Sequence, residues 1–119
     1  MLKKVALVLI SVLPLTAGFA VTARTVKKPK VAYKQVQELL KSECVKCHNN
    51  KSHAENVDLH SYGAVMASKV VIVGNPGKSR LITYTNGAKE PRMPMGKKSL
   101  TTAQEKLLSD WISQGAKSK

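Results

Sequence analysis

The sequence predicts one small all-α domain, in which short helices are joined by loops. Residues 31–42, residues 58–69 and a segment from Thr102 to Gly115 place apolar residues three or four positions apart, the spacing at which side chains share one helix face. A short apolar run at residues 70–73 has no partner strand, so we expect it to be a buried connector. The chain has 119 residues, which is enough for a single domain.

The N-terminal residues 1–23 are predicted to be a signal peptide. A pair of lysines precedes an apolar stretch at residues 5–15, and small residues follow it. We expect cleavage after Ala23, with Ala20 as the alternative. The apolar stretch is shorter than the roughly 20 residues that a membrane helix needs, and an uncleaved N-terminal anchor is the alternative to a cleaved signal. In both cases the domain is expected to be periplasmic.

The basic composition indicates the kind of partner. The net charge of the chain is +13 at pH 7, and loss of residues 1–23 removes two lysines and no acidic residue, which leaves +11. A surface this basic favours acidic redox proteins, with peripheral contact to an anionic membrane as a second option. Export makes nucleic acid the least favoured partner. We expect a monomer.

The remaining segments follow from composition. Residues 24–30 are rich in lysine and contain a proline, which predicts a mobile basic linker before the domain at residues 31–119. The polar residues 49–56 are expected to form a loop. Glycine, proline and charged residues crowd residues 86–98, and this predicts an extended loop that we call the methionine loop.

Capping residues mark the ends of the predicted helices. Polar residues that accept hydrogen bonds from first-turn N–H groups favour helix starts, and glycine favours helix ends. A third, short helix is expected through Leu81, Ile82 and Tyr84. The expected capping residues are Ser61 for the second helix, Asn75 before Pro76 for the third, either Thr102 with Glu105 or Thr101 with Gln104 for the last, and Gly115 at its C-terminal end.

The string Cys44-Val45-Lys46-Cys47-His48 carries the strongest chemical signal of the chain. Two thiols three positions apart can each add to one vinyl group of the same haem, and the imidazole that follows can then bind the iron. Cys-x-x-Cys-His is the sequence signature of covalent c-type haem attachment. The sequence therefore predicts one covalently attached haem c, held by Cys44, Cys47 and His48.

The two cysteines have three alternative uses. Cys44, Cys47, His53 and His60 would supply four zinc ligands, but their spacing is not a usual zinc-finger pattern, and His48 would have no role. A disulfide is common in exported proteins, although it too would leave the histidine unexplained. A thioredoxin-like pair would need a βαβ unit, which the sequence lacks.

A haem iron bound by one histidine has a sixth position to fill. The candidates are Met93, Met95, Met66, His53 and His60. We favour Met93 because Pro94 restricts the backbone beside it, and Met95 is the alternative. Met66 lies on a predicted helix face and is expected to pack in the core, while both histidines are expected to be solvated. A thioether ligand would raise the reduction potential.

The ordered set of motifs resembles a class I c-type cytochrome, most closely the monohaem domain of the planctomycete cytochrome c type. The matching segments are residues 44–48, 58–66, 74–82, 92–96, 100–101 and 111–116. The resemblance implies the cytochrome c fold, in which the N- and C-terminal helices cross beside the haem, with His48 and Met93 as axial ligands. Two positions depart from the family pattern: Asn49 replaces a common glycine, where asparagine can adopt a left-handed backbone, and Met95 replaces a proline.

The resemblance implies electron transfer without substrate turnover. A haem peroxidase or ligand-binding sensor, which needs an open sixth position, is the alternative, as is an electron-input module of a larger oxidoreductase. A basic rim around the methionine loop is expected to bind acidic partners. It consists of Arg80, Lys89, Arg92, Lys97 and Lys98. Trp111 either packs in the core or contacts the haem edge or a propionate through its indole N–H.

Overall fold

The structure is a computed structural model that describes residues 10–119. The first part of the predicted signal peptide, residues 1–9, lies outside the described residues. Residues 10–119 form four α-helices and no β-strand, so the predicted all-α class is confirmed. The helices are α1 (Tyr33–Glu43), α2 (Tyr62–Ala67), α3 (Arg80–Thr85) and α4 (Thr102–Ser113), with 3₁₀ turns at Ala54–Asn56 and Pro76–Lys78.

The second helix is shorter than the predicted segment 58–69. The Ser61 hydroxyl accepts a hydrogen bond from the Ala64 N–H at 3.2 Å, so the predicted N-cap is confirmed and the helix begins only after it. Upstream, the Asp58 N–H donates to the Ser68 hydroxyl at 2.9 Å. This contact joins the two flanks of α2, and it replaces helical hydrogen bonding at the N-terminal side.

The connector at residues 70–73 is buried only at its start. Val70 is buried, but Ile72 and Val73 are 48% and 54% exposed, so the prediction of a buried connector is wrong for its second half. The segment is held by polar contacts: the Ile72 N–H donates to the buried Ser79 hydroxyl at 2.8 Å, which satisfies the backbone without burying the two side chains.

The predicted start of the third helix belongs to a separate 3₁₀ turn. The Asn75 side chain accepts a hydrogen bond from the Lys78 N–H at 3.2 Å, with Pro76 at the first position of the turn. The α-helix itself begins at Arg80. Asn75 and Pro76 therefore do act as a helix start, but the turn that they begin ends before α3.

The last helix uses the second of its two predicted capping boxes. The Thr101 hydroxyl accepts from the Gln104 N–H at 3.2 Å, and the Gln104 side chain accepts from the Thr101 N–H at 2.8 Å. The register with Thr102 and Glu105 is wrong. Gly115 follows the C-cap with a φ of 107°, as predicted for a C′ glycine, because this backbone conformation disfavours a side chain.

Three aromatic residues from three helices form an aromatic cluster at the start of α1. Tyr33 lies with its ring centroid 5.2 Å from that of Tyr62 and 5.6 Å from that of Trp111. Trp111 is 1% exposed, and its indole N–H donates to the Lys117 carbonyl at 3.0 Å. Because that donor is already satisfied within the core, the structure supports the packing interpretation of Trp111 and not the propionate contact.

The second half of the predicted basic linker is attached to α4. The Gln114 amide accepts from the Val31 N–H at 2.8 Å and donates to the Pro29 carbonyl at 3.0 Å. Lys28 also forms an ion pair with Asp110 at 2.9 Å. The linker was expected to be mobile along its whole length, and these contacts show that it lies against the domain from Lys28 onward.

Residues 10–27, which precede the attached part of the linker, have exposed side chains and form no helix or strand. Within residues 10–119, no helix combines the length and the apolar character that a membrane span requires.

Candidate functional site

The Cys-x-x-Cys-His motif continues directly from the C-terminal end of α1. The N–H groups of Cys44 and Val45 both donate to the Leu40 carbonyl, at 2.8 and 2.9 Å, and the His48 N–H donates to the Cys44 carbonyl at 3.0 Å. These turns bring the motif into a compact loop. Cys44 is half-buried and Cys47 is exposed, and both are free thiols, so the alternative of a disulfide is not supported.

The Cys44 thiol lies in a less polar environment than the Cys47 thiol. Burial, together with the nearby carboxylate of Glu43, raises the pKa of Cys44 to about 11, and the positive charge of Lys97 opposes part of this rise. The thiol is therefore protonated at neutral pH and is a weak nucleophile by itself. The effect of Lys97 also shows that the methionine loop lies close to the motif.

The His48 ring is oriented by a backbone carbonyl. Its Nδ1 lies 3.2 Å from the Val57 carbonyl oxygen. A carbonyl can only accept, so we assign the proton to Nδ1, which leaves the lone pair of Nε2 available for a metal. A hydrogen bond to the second ring nitrogen is the usual support of a metal-binding histidine. The Leu59 N–H donates to the His48 carbonyl at 2.9 Å and holds the same two segments together.

Asn49, which departs from the family glycine, stabilises the loop through its side chain. Its amide nitrogen donates to the Val45 carbonyl at 2.8 Å and to the Lys46 carbonyl at 3.2 Å. Its side-chain oxygen accepts from the N–H groups of Lys51 and Ser52, at 2.9 and 2.8 Å. Asn49 does not use the left-handed backbone that asparagine can adopt. The asparagine is accommodated by these four hydrogen bonds.

The other two histidines do not approach the cysteines as a zinc site would require. In residues 10–119, no three side chains of His, Cys, Asp or Glu lie close enough to hold a metal ion. His53 is exposed, as expected, but His60 is half-buried and its Nδ1 lies 2.6 Å from Asp58. Partial desolvation raises the pKa of Asp58, but the hydrogen bonds with His60 outweigh it and hold the pKa below its ordinary value.

The three methionines that could bind the iron differ in exposure. Met93 is half-buried, and its N–H donates to the Tyr84 carbonyl at 2.8 Å, which ties the methionine loop to α3. Met95, the alternative ligand, is 64% exposed. Met66 packs against the hydrophobic core, as predicted. Met93 is the candidate whose side chain is neither in the core nor mainly in solvent.

A lysine connects the methionine loop to the haem motif. The Lys97 ammonium donates to the Ser42 carbonyl at 3.0 Å and lies 3.9 Å from the Glu43 carboxylate, both at the end of α1. The charge of Lys97 predicted a place in the docking surface, and this contact was not predicted. The residues are 55 positions apart, and no local pattern in the sequence indicates the pairing.

The basic rim is divided by these contacts into two groups. Arg92 donates to the Thr85 carbonyl at 3.2 Å and pairs with Glu105 at 3.4 Å, so it joins Lys97 in stabilising the loop. The Arg80 guanidinium lies 5.8 Å from the centre of the Tyr84 ring. The side chains of Lys89 and Lys98 make no hydrogen bond or ion pair with any residue of 10–119.

Comparisons with known proteins gave a family match for part of the chain. Residues 44–95 match the family model described as Planctomycete cytochrome C. This part of the chain is therefore similar to a cytochrome c domain of the planctomycete type. The match begins at Cys44 and ends at Met95, so it includes the motif and Met93 but neither α1 nor α4. Neither the curated proteins nor the solved structures gave a match.

Proposed function

We propose that this cytochrome domain transfers electrons through one covalently attached haem c, with His48 and Met93 as axial ligands. The observation that carries the proposal is that one family match includes both the Cys-x-x-Cys-His motif and Met93. The structure adds a hydrogen bond from Lys97, in the methionine loop, to the Ser42 carbonyl in the last turn of α1, two residues before the motif. The chain has two cysteines, which is the number that one haem requires.

The residues present suit this group. When bound, the haem supplies a one-electron iron couple. Cys44 and Cys47 provide two thiols on one short loop. His48 presents its Nε2, while its other ring nitrogen, Nδ1, is hydrogen-bonded to the Val57 carbonyl. The half-buried thioether of Met93 is a soft ligand that favours ferrous iron and raises the reduction potential. A held methionine also argues against the peroxidase alternative, which needs an open sixth position.

The proposed location is the periplasm, and the proposed partners are acidic redox proteins. The predicted signal peptide and the family support export, since cytochrome c domains are typically exported. Lys89 and Lys98 leave their charges available beside the methionine loop, where they would increase the encounter rate with an acidic surface. Contact with an anionic membrane through the linker lysines is a second proposal, and we propose a monomer.

The test is an optical and redox titration of the exported protein, with the Met93→Ala variant beside it. We expect the colour to stay with the chain after denaturation and extraction with acidified organic solvent. We also expect the weak far-red iron–sulphur band to disappear, and the potential to fall, in Met93→Ala. Met95→Ala is the matched control and should retain both. Colour that leaves the chain contradicts covalent attachment, and a band lost only in Met95→Ala reverses the ligand assignment.

A further inference from the structure

We infer that Lys97 is a positioning residue for the sixth iron ligand, because it holds the methionine loop against the end of α1. The inference rests on the proposed function, in which Met93 binds the iron. It assigns to Lys97 a role inside the domain, in place of the docking role that its charge first indicated.

The acceptor of this contact is a carbonyl that the helix leaves unpaired. Ser42 lies in the last turn of α1, where carbonyl groups have no partner within the helix. The negative end of the helix dipole also lies there, and a lysine ammonium is favourable at that position. The Glu43 carboxylate at 3.9 Å adds a weaker attraction. The site therefore suits a cation better than a neutral donor.

The hydrogen bond from Lys97 to Ser42 also holds the second half of the methionine loop. The first half is attached to α3, because the Met93 N–H donates to the Tyr84 carbonyl and the Arg92 side chain donates to the Thr85 carbonyl. Among the described residues, those of 94–99 form a single hydrogen bond with the rest of the domain, and that is the bond from Lys97 to Ser42. Without it, the chain after Met93 has no polar attachment until the capping box of α4.

The consequence is a loop whose opening is controlled by one side chain. A ligand that competes with Met93 can bind only to molecules in which the loop is open, so its apparent dissociation constant is divided by the open fraction. Loss of a hydrogen bond from a charged donor should raise that fraction by about tenfold. Lys97 would then affect the occupancy of the sixth position without touching it.

The experiment is a titration of the ferric holoprotein with imidazole, followed by the shift of the main haem absorption band, which can be measured with or without Met93. Lys97→Gln should bind imidazole about tenfold more tightly than the wild type. Lys97→Arg keeps a cationic donor and should remain close to the wild type. Lys98→Gln is the matched control, because it removes the charge of the adjacent lysine, whose side chain forms no hydrogen bond in residues 10–119. It should leave the imidazole affinity unchanged.

The Met93→Ala background separates failure of the inference from failure of the proposed function. Met93→Ala should itself tighten imidazole binding, and Lys97→Gln should then have no further effect, since both changes act on the same step. If Met93→Ala tightens binding while Lys97→Gln does not, the inference is wrong and the ligand assignment stands. An equal effect of Lys97→Gln in both backgrounds also overturns the inference. If Met93→Ala changes nothing, Met93 is not the ligand, and both proposals are wrong.

Discussion

The two ends of α1 are stabilised in different ways. At its first residue, Tyr33 packs against Tyr62 and Trp111, and the surrounding core is apolar. At its last turn, where Ser42 lies about 14 Å away by helix rise, the motif and the methionine loop are held by side chains that donate to backbone carbonyls. One such contact is the hydrogen bond that the Lys97 ammonium donates to the Ser42 carbonyl.

This difference separates stability from function along one helix. Apolar burial is non-directional and contributes most of the free energy of folding, so the aromatic end should determine how stable the domain is. Hydrogen bonds at the haem end contribute less net stability but fix the orientation of His48 and the position of the methionine loop. Substitutions at the two ends should therefore change different measured quantities.

The largest effect on stability is expected at the aromatic end. Trp111→Ala removes a fully buried side chain from the contact between α1 and α4, and the free energy of unfolding should fall by about 3–5 kcal/mol. Met95→Ala is the control at the haem end and should change it by less than about 0.5 kcal/mol, because its side chain is exposed. Denaturant unfolding of both holoproteins is the measurement. Equal losses in the two variants would remove the distinction between the ends.

The next effect is kinetic and belongs to the haem end. Lys89→Gln with Lys98→Gln should slow reduction by an acidic partner about three- to tenfold at low salt, because steering raises encounter rates. The difference should shrink as added salt shortens the Debye length below about 8–10 Å. Stopped-flow reduction across a salt series measures it.

The control for that kinetic prediction lies at the opposite end of the domain. Lys117→Gln with Lys119→Gln removes the same charge near the aromatic cluster, and it should leave the rate nearly unchanged. Unfolding curves of both double variants should match the wild type. A rate that responds equally to both pairs would mean that only net charge matters, and the docking surface would be excluded.

The smallest expected effect is on the free energy of unfolding, and it concerns the ion pair between Lys28 of the linker and Asp110 of α4. Hydrogen bonds from Lys106 and Lys28 hold the pKa of Asp110 below its ordinary value of 3.8. A depressed folded-state pKa adds stability above the unfolded-state value, and that stability is lost as pH falls through the folded-state pKa. Asp110→Asn should therefore cost less than about 1 kcal/mol at pH 7, and the cost should shrink as the pH is lowered below 3.8, the ordinary pKa of the group.

The measurement is denaturant unfolding of Asp110→Asn and of the wild type, at pH 7 and at a pH below 3.8. Glu38→Gln, which changes an exposed carboxylate without an ion pair in residues 10–119, is the control. A cost for Asp110→Asn that persists unchanged at low pH would mean that its ion pairs are not the cause.

The sequence by itself determined the helical class and the positions of most helices, and it indicated the candidate site. Helical periodicity, the Ser61 cap and the C′ glycine depend on residues a few positions apart, and the same is true of Cys44, Cys47 and His48. Such patterns can be interpreted from the chain alone because backbone geometry places near neighbours at known distances.

Only the tertiary structure decided what the polar side chains contact. The expected surface lysine at position 97 donates to a carbonyl 55 residues away, and the indole of Trp111 is satisfied by the Lys117 carbonyl. Met95, adjacent to Pro94 like Met93, is exposed. The physical reason is that partners far apart in the chain are brought together by packing of whole helices, and residue type and local spacing do not encode that distance.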